Sequence, residues 1–252
     1  MDSAPQPGSS LYDVIGVGYR RRRIPDPRIR QAIDHALGAE GSVVDVGAGT
    51  GSYEPPGRCI AAIEPSMTMI RQRPAAAAPA IRARAARLPL HDACADLVMA
   101  ILTVHHWDER ALSFAELGRI ARRRIVFLTW DPDASGFWLT EDYCPALGAQ
   151  DRSDFPALTE FRRAYGRITV TPVLIPHDCT DGFAAAYWRR PRALLDPAVR
   201  AATSTFAKIH GVESGMARLR DDLDSGAWSR RYAHLLAREA LDVGYRLVMV
   251  DL

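Results

Sequence analysis

At 252 residues and 27.8 kDa the chain is long enough for one sizeable core, so a single domain with an elaborated cap is expected rather than a multidomain assembly. With 48% hydrophobic and 25% charged residues and no apolar run near the ~20 residues a spanning helix needs, the composition excludes a transmembrane protein. The net charge of +2 is too slight to imply a nucleic-acid partner, although the basic residues are almost all arginine and Lys208 is the only lysine.

The first residues, Met1 to Gly8, are polar, rich in Pro and Gly, and lack the basic-then-apolar order of a secretory signal; residues 1–10 read as a disordered tail of a cytosolic protein, ahead of one domain over 11–252. Asp26-Pro27, with Ile29, Ile33 and Leu37 at i+4 spacing and Gly38 after them, predicts a first helix. A first strand follows at 42–46 and runs into glycines. A second strand at Cys59 to Ile63, a helix from Ser66, a weak strand near Ile81 and an apolar central strand from Asp96 to Ile101 repeat the unit. Asp108 is expected to cap a helix through Phe114, Leu117 and Ile120. Further strands are expected at 125–130, 168–175 and 245–251, with a mostly helical cap over about 178–243, broken at Pro191, Pro197, Gly211 and Gly226. Alternating strands and helices predict an α/β fold with a seven-stranded, mostly parallel sheet. The four cysteines, Cys59, Cys94, Cys144 and Cys179, are far apart and form no C-x-x-C pair, which predicts free thiols and no metal site.

The most informative stretch is Val43-Val44-Asp45-Val46-Gly47-Ala48-Gly49-Thr50-Gly51, a buried strand running into a glycine turn at its carboxyl end, where open α/β sheets bind ligands. Ser52 holds the position of the third glycine of a dinucleotide fingerprint, and no Gly-Lys-Ser/Thr of a P-loop follows. Instead Asp45 precedes the glycines and Glu64 ends the next strand, 19 residues after Asp45. An ionised carboxylate there can accept both hydroxyls of a ribose, which suits an adenosine ligand. The blander alternative is a tight turn with Glu64 as a surface acid or helix cap.

These residues resemble the class I S-adenosylmethionine-dependent methyltransferases, and within them the methyltransferase type 11 group related to ubiquinone and menaquinone biosynthesis enzymes. Asp45 to Gly51 is similar to the first motif and Glu64-Pro65-Ser66 with Met69 to the acid-led second. Arg87-Leu88-Pro89-Leu90 with Asp96, and Leu102-Thr103-Val104-His105-His106-Trp107, are similar to the segments around the central strand. The resemblance implies a three-layer Rossmann-like fold and S-adenosyl-L-methionine as cofactor, with S-adenosyl-L-homocysteine as product. By it, Asp45 and the loop of Gly47, Ala48, Gly49 and Gly51 hold the methionine moiety, Glu64 the ribose, and Met69, Ala85 and Ala86 the adenine, while Pro65, Ile101 and Leu102 complete the site. Ala86 departs from the family, which often has an acid there.

Tyr12, Tyr19 and Arg20 to Arg23 precede the first helix, and four arginines can be a solvated face or a nucleic-acid contact. Similar enzymes fold this segment, here about 11–25, over the cofactor, which would make Tyr19 a cover and Arg23 a fork for the cofactor carboxylate. The cofactor's sulfonium drives the transfer, so the protein mainly positions. If the acceptor must lose a proton, His105 or His106 is the candidate base; a packed turn is the alternative. His177-Asp178-Cys179 can face substrate or cap a helix near Thr180, and Phe183, Tyr187 and Trp188 can be a substrate wall or core. The resulting expectation is methyl transfer to a small organic acceptor, in quinone-like or secondary metabolism. The rivals are methylation of RNA or protein, which would call for a larger basic surface and an open site, and a binding protein or rearrangement enzyme that leaves the cofactor intact.

Overall fold

A strand buried along its whole length belongs at the centre of a sheet covered on both faces. Val43–Val46 (β1) is buried at all four positions, and it lies near the middle of the sheet in the computed structural model, which describes residues 11–252; the tail expected over 1–10 lies outside the described residues. The other strands are β2 (Cys59–Ile63), β3 (Ala80–Ile81), β4 (Ala95–Ile101), β5 (Ala121–Trp130), β6 (Thr169–Pro172), β7 (Ile175–Pro176), β8 (Ala240–Leu241) and β9 (Tyr245–Asp251). Seven form one sheet in the order β3-β2-β1-β4-β5-β9-β6. Pairing is parallel from β3 to β5, and β9 inserts antiparallel between β5 and β6. The chain therefore has the expected Rossmann-like, mostly parallel seven-stranded sheet.

One expected strand divides. The apolar run at 168–175 gives β6 at the sheet edge and β7, which pairs with β8 in a separate two-stranded sheet. β6 ends at Pro172 and β7 at Pro176, each followed by one more cross-strand bond, from the Val173 N–H to the Tyr245 carbonyl at 2.8 Å and from the His177 N–H to the Glu239 carbonyl at 2.9 Å.

The sheet's period of two separates the core into two faces. Leu97 and Met99 of β4 pack with Ile29, Ile33 and Leu37 on one side, while Val98 and Ala100 pack with Phe114, Leu117 and Ile120 on the other. The first group comes from the helix Pro27–Leu37, where Asp26 Oδ1 accepts from the Arg28 N–H at 2.9 Å and Gly38 ends the run, as its sequence predicts. The second comes from Arg110–Ile120, whose cap is not Asp108. That residue makes an exposed pair with Arg84 at 3.4 Å, and Glu109 stands at the N-cap without a side-chain hydrogen bond.

Two helices between β5 and β6, Pro145–Asp154 and Leu158–Tyr165, were not assigned from sequence. Over 178–243 short helices follow one another, and the four predicted breakers each stand at the start of one: Pro191 and Pro197 in a first turn, Gly211 and Gly226 at an N-cap. No helix begins at Thr180; its N–H donates to Asp26 Oδ2 at 3.0 Å, and the next turn is Ala184–Tyr187. Trp138, Trp188 and Trp228 are fully buried beneath these helices, on the same face of the sheet as Pro27–Leu37. Trp188 is thus core, its indole donating to the Ile175 carbonyl at 2.9 Å. All four cysteines are free. Among the described residues no helix is long and apolar enough to cross a membrane.

Candidate active site

From β1 the chain crosses to β2 on one side, and β4 pairs on the other, so the sheet opens a crevice at the carboxyl ends of β1 and β4. A cavity of about 820 Å³ lies there. The loop after β1 is fixed over it by backbone bonds: the Gly47 and Ala48 N–H groups both donate to the Ile63 carbonyl, at 2.8 and 3.0 Å. Gly47 has a φ of +76°, and a Cβ on it would stand 2.0 Å from Thr103 Oγ1 and 2.7 Å from Thr103 Cβ and Cγ2. No other residue fits.

Glu64 ends β2 and is buried, with Oε2 accepting from the Gly49 N–H at 2.9 Å and Oε1 from the Ser66 N–H at 2.8 Å. It is therefore no surface acid: it ties the glycine loop to the next helix, and each oxygen keeps a lone pair for a ligand hydroxyl. Burial holds its carboxyl above the usual range, against the pull of the two backbone donors. Asp45, inside β1, is 3% exposed, and its Oδ1 has no hydrogen-bond partner among the described residues. Burial, and after it the Glu54 charge, raises its pKa well above an ordinary carboxyl.

The other expected cofactor residues converge on the same space. Ala48, Gly49, Pro65, Met69, Ala85, Ala86, Ile101 and Leu102 all line the cavity. Leu102 holds a φ of +52°, rare for a branched side chain, and is pinned there by its N–H donating to the Leu128 carbonyl at 2.8 Å. Gly51 does not line the cavity. A Cβ there would reach Arg73 Nη1 and Glu54 Oε1, both at 3.3 Å, so this glycine makes room for the buried Arg73–Glu54 pair.

The arginine run also separates. Arg20, Arg21 and Arg22 are exposed, whereas Arg23 turns inward with Tyr19 to the cavity wall. Its fork, expected for the cofactor carboxylate, is closed on Asp181: Nε donates to Oδ1 at 2.5 Å and Nη2 to Oδ2 at 3.3 Å. Arg23 Nη1 donates to the Tyr19 hydroxyl at 2.7 Å, and the Tyr53 hydroxyl donates to Asp181 Oδ2 at 2.8 Å. Asp181 thus clasps the N-terminal segment and the glycine loop to the cap. Asp181→Asn would leave the buried guanidinium without its counter-charge, which predicts a loss of roughly 3 kcal/mol, read as a fall in Tm in thermal denaturation; an unchanged Tm would mean that the clasp contributes nothing.

His105 and His106 form the turn after β4 and face the cavity. Among the described residues neither is bonded to backbone through its ring as a packed turn would have it. His106 Nε2 lies 3.1 Å from the Tyr12 hydroxyl, while His105 stacks on Phe155 with centroids 4.0 Å apart and leaves Nδ1 buried without a partner among the described residues. Burial pushes His106 down to about 3, and His105 well below its usual value, with the neighbouring imidazole adding to the effect. Both rings are neutral at pH 7.

His177, Asp178 and Cys179 stay outside the cavity: His177 Nδ1 meets the Glu239 carbonyl at 3.2 Å, Asp178 pairs with Arg28 at 2.6 Å, and Cys179 is core. Sequence reasoning missed Thr103, Tyr53 and Asp181, which support or line the site. The last lies 158 positions from the arginine it holds, and no local pattern could have joined them.

A family model described as a methyltransferase domain matches residues 44–128, from β1 to β5. The crystal structure of a candidate methyltransferase from an antibiotic biosynthesis pathway of Anabaena variabilis ATCC 29413 is 37% identical, with a TM-score of 0.84 over 92% of this chain and 99% of that one. The chain belongs to the class I S-adenosylmethionine-dependent methyltransferases. More distant structures share the fold. The [4+2]-cyclase SpnF is 14% identical with a TM-score of 0.56, over 96% of this chain and 93% of that one. A candidate histamine N-methyltransferase of Thermotoga maritima is 20% identical with a TM-score of 0.53, over 65% of this chain and 84% of that one. No curated protein matches.

Proposed function

We propose that the chain transfers a methyl group from S-adenosylmethionine to a small organic acceptor enclosed beneath the helical cap. The observation that carries this reading is Asp45: a buried carboxylate with an unpartnered oxygen, facing the cavity, lacks the counter-charge that the ammonium of a methionine moiety would supply. Glu64, which lines the cavity, would accept from ribose hydroxyls, and the apolar side chains of Met69, Ala85 and Ala86 would wall the adenine. The bound cofactor would supply the electrophilic methyl group; the chain's part is to hold the acceptor in line and keep water out.

A methylated nitrogen or oxygen becomes cationic, and its proton becomes strongly acidic, so a weak base suffices to take it. His105 is the residue we assign to that role, since its ring lines the cavity, with His106 held beside it by Tyr12. A base is active while deprotonated and fails as the pH falls through its pKa. With His106 at about 3 and His105 also well below its usual value, kcat is expected to stay level from pH 8 down to about pH 5. An acid limb centred near 6.5 that disappears in His105→Ala would contradict this.

Secondary metabolism as the setting is supported by the 37% identical relative. Because the fold is also that of a cyclase, turnover rather than architecture is the discriminating measurement. Calorimetry should give micromolar binding of S-adenosylmethionine or S-adenosylhomocysteine, and an acceptor screen should release S-adenosylhomocysteine. Binding without release for any acceptor would favour the rearrangement reading; no binding would remove the cofactor assignment.

A further inference from the structure

A second, smaller cavity of about 60 Å³ lies behind the main one, and Tyr12, Arg23, Leu102 and His105 line both. The main cavity holds the expected cofactor residues other than Gly51, and the smaller one holds none that are not shared. Its composition is unusual. Besides the shared Tyr12, five aromatic rings, Trp130, Phe137, Phe155, Phe183 and Tyr245, contribute to the wall, and the acid among them is Asp151, from the helix Pro145–Asp154.

Asp151 has no cationic partner among the described residues. Its Oδ1 accepts from the Thr205 hydroxyl at 2.6 Å, and no ion pair includes it. Of the nearby cations, Arg23 is closed on Asp181, Lys208 Nζ sits 2.8 Å from Asp154 Oδ2, and Arg152 is exposed and forms no ion pair with Asp151 among the described residues. A carboxylate among aromatic rings is suited to a cation, since rings attract positive charge and the acid supplies the hydrogen-bond acceptor.

We propose that this side pocket receives a protonated amine of the methyl acceptor, with Asp151 as its counter-charge and the surrounding rings as its walls. Size limits the group to the head. A cavity that binds benzene measures about 150 Å³, so 60 Å³ takes an ammonium with one or two carbons and leaves any ring of the acceptor in the main cavity. A protonated amine has no lone pair to attack a methyl group, so the amine held here is an anchor, and the methylated atom lies elsewhere on the same molecule. The proposal names the acceptor class for the methyltransferase reading and rests on it in that respect.

The pocket also has a pH signature. Burial pushes Asp151 up to about 6, with the Asp154 charge in the same direction and the Thr205 hydroxyl, Lys208 and Arg152 against it; Arg23, His105 and Tyr245 face the same space. Amine recognition should therefore be present at pH 8 and fade towards pH 5, where Asp151 is neutral while an alkylamine with a pKa near 10 stays charged.

The test is calorimetric titration of 2-phenylethylamine and its uncharged isostere 2-phenylethanol into wild type and Asp151→Asn, with and without saturating S-adenosylhomocysteine. At pH 8 the amine should bind wild type at least tenfold tighter than the alcohol. That preference should fall below threefold in Asp151→Asn and in wild type at pH 5. Equal binding of the two probes to wild type at pH 8, no binding of either, or a preference that survives both changes would overturn the proposal. The wild-type pH series keeps the test valid should the variant fold poorly. S-adenosylhomocysteine titrated alone separates the two readings: its binding without an amine preference overturns the amine pocket only, and an amine preference without its binding overturns the cofactor assignment only.

Discussion

Gly47→Ala should abolish measurable cofactor binding, weakening the Kd for S-adenosylhomocysteine by more than 100-fold, and should destabilise the protein by roughly 2–5 kcal/mol. Two costs add. The backbone φ of +76° is unfavourable for any residue with a Cβ, by about 1–2 kcal/mol. The new methyl would also overlap Thr103 at 2.0 to 2.7 Å, and overpacking in a tight site costs about 1–3 kcal/mol more. The loop cannot yield easily, because the Gly47 and Ala48 N–H groups are both committed to Ile63. Movement of either the loop or Thr103 reshapes the cavity at the point where the methionine moiety is assigned. Gly57→Ala provides the control: its φ is +72°, yet nothing lies within 4 Å of a Cβ there. That variant should lose only about 1 kcal/mol and bind the cofactor as wild type does. Equal behaviour of the two variants in calorimetry and thermal melts would show that strain alone, and not the close approach to Thr103, governs this loop.

What could be read in the sequence was what neighbouring residues determine. Asp26-Pro27 and Gly38 mark both ends of their helix because caps and breakers act within one turn. The glycine loop and Glu64 were legible because a strand, a turn and an acid at the next strand end follow each other in the chain. The same logic misread Asp108 as a cap, since a capping side chain must also find a free N–H, and here the exposed carboxylate meets Arg84 instead. It reads 168–175 as one strand because both halves are apolar, although the chain leaves β9 after Val173 and pairs with β8 from Ile175. Least legible were charges matched over long separations. The run Arg20 to Arg23 is uniform in sequence, but only Arg23 meets an acid from the cap, and that acid decides which arginine faces the cavity. That Asp151 lacks a cationic partner among the described residues could not be recognised until the surrounding rings and the paired lysine were in place.

Asp45→Asn tests the carboxylate on which the functional reading depends, and it should separate stability from binding. In the ligand-free protein the Asp45 carboxyl is buried, lacks a partner for Oδ1 and has its pKa raised well above the ordinary value. An acid whose folded pKa lies above its unfolded one holds its proton longer in the native state. Its contribution is fully present below the unfolded pKa and is lost as the pH rises through the folded one. Wild type should therefore lose stability relative to Asp45→Asn between pH 5 and pH 8, and the variant's ligand-free Tm should equal or exceed that of wild type at pH 8. Binding should change in the opposite direction. Without the charge, the assigned ammonium contact loses about 2–4 kcal/mol, or roughly 30-fold to 1,000-fold in Kd. Saturating S-adenosylmethionine stabilises only the form that binds it, so adding it should reverse the order of the two melting temperatures. Unchanged cofactor affinity in the variant would detach Asp45 from the methionine moiety. A lower ligand-free Tm at every pH would mean that the carboxylate has a structural partner in solution, and that its burial is no sign of a missing ligand cation.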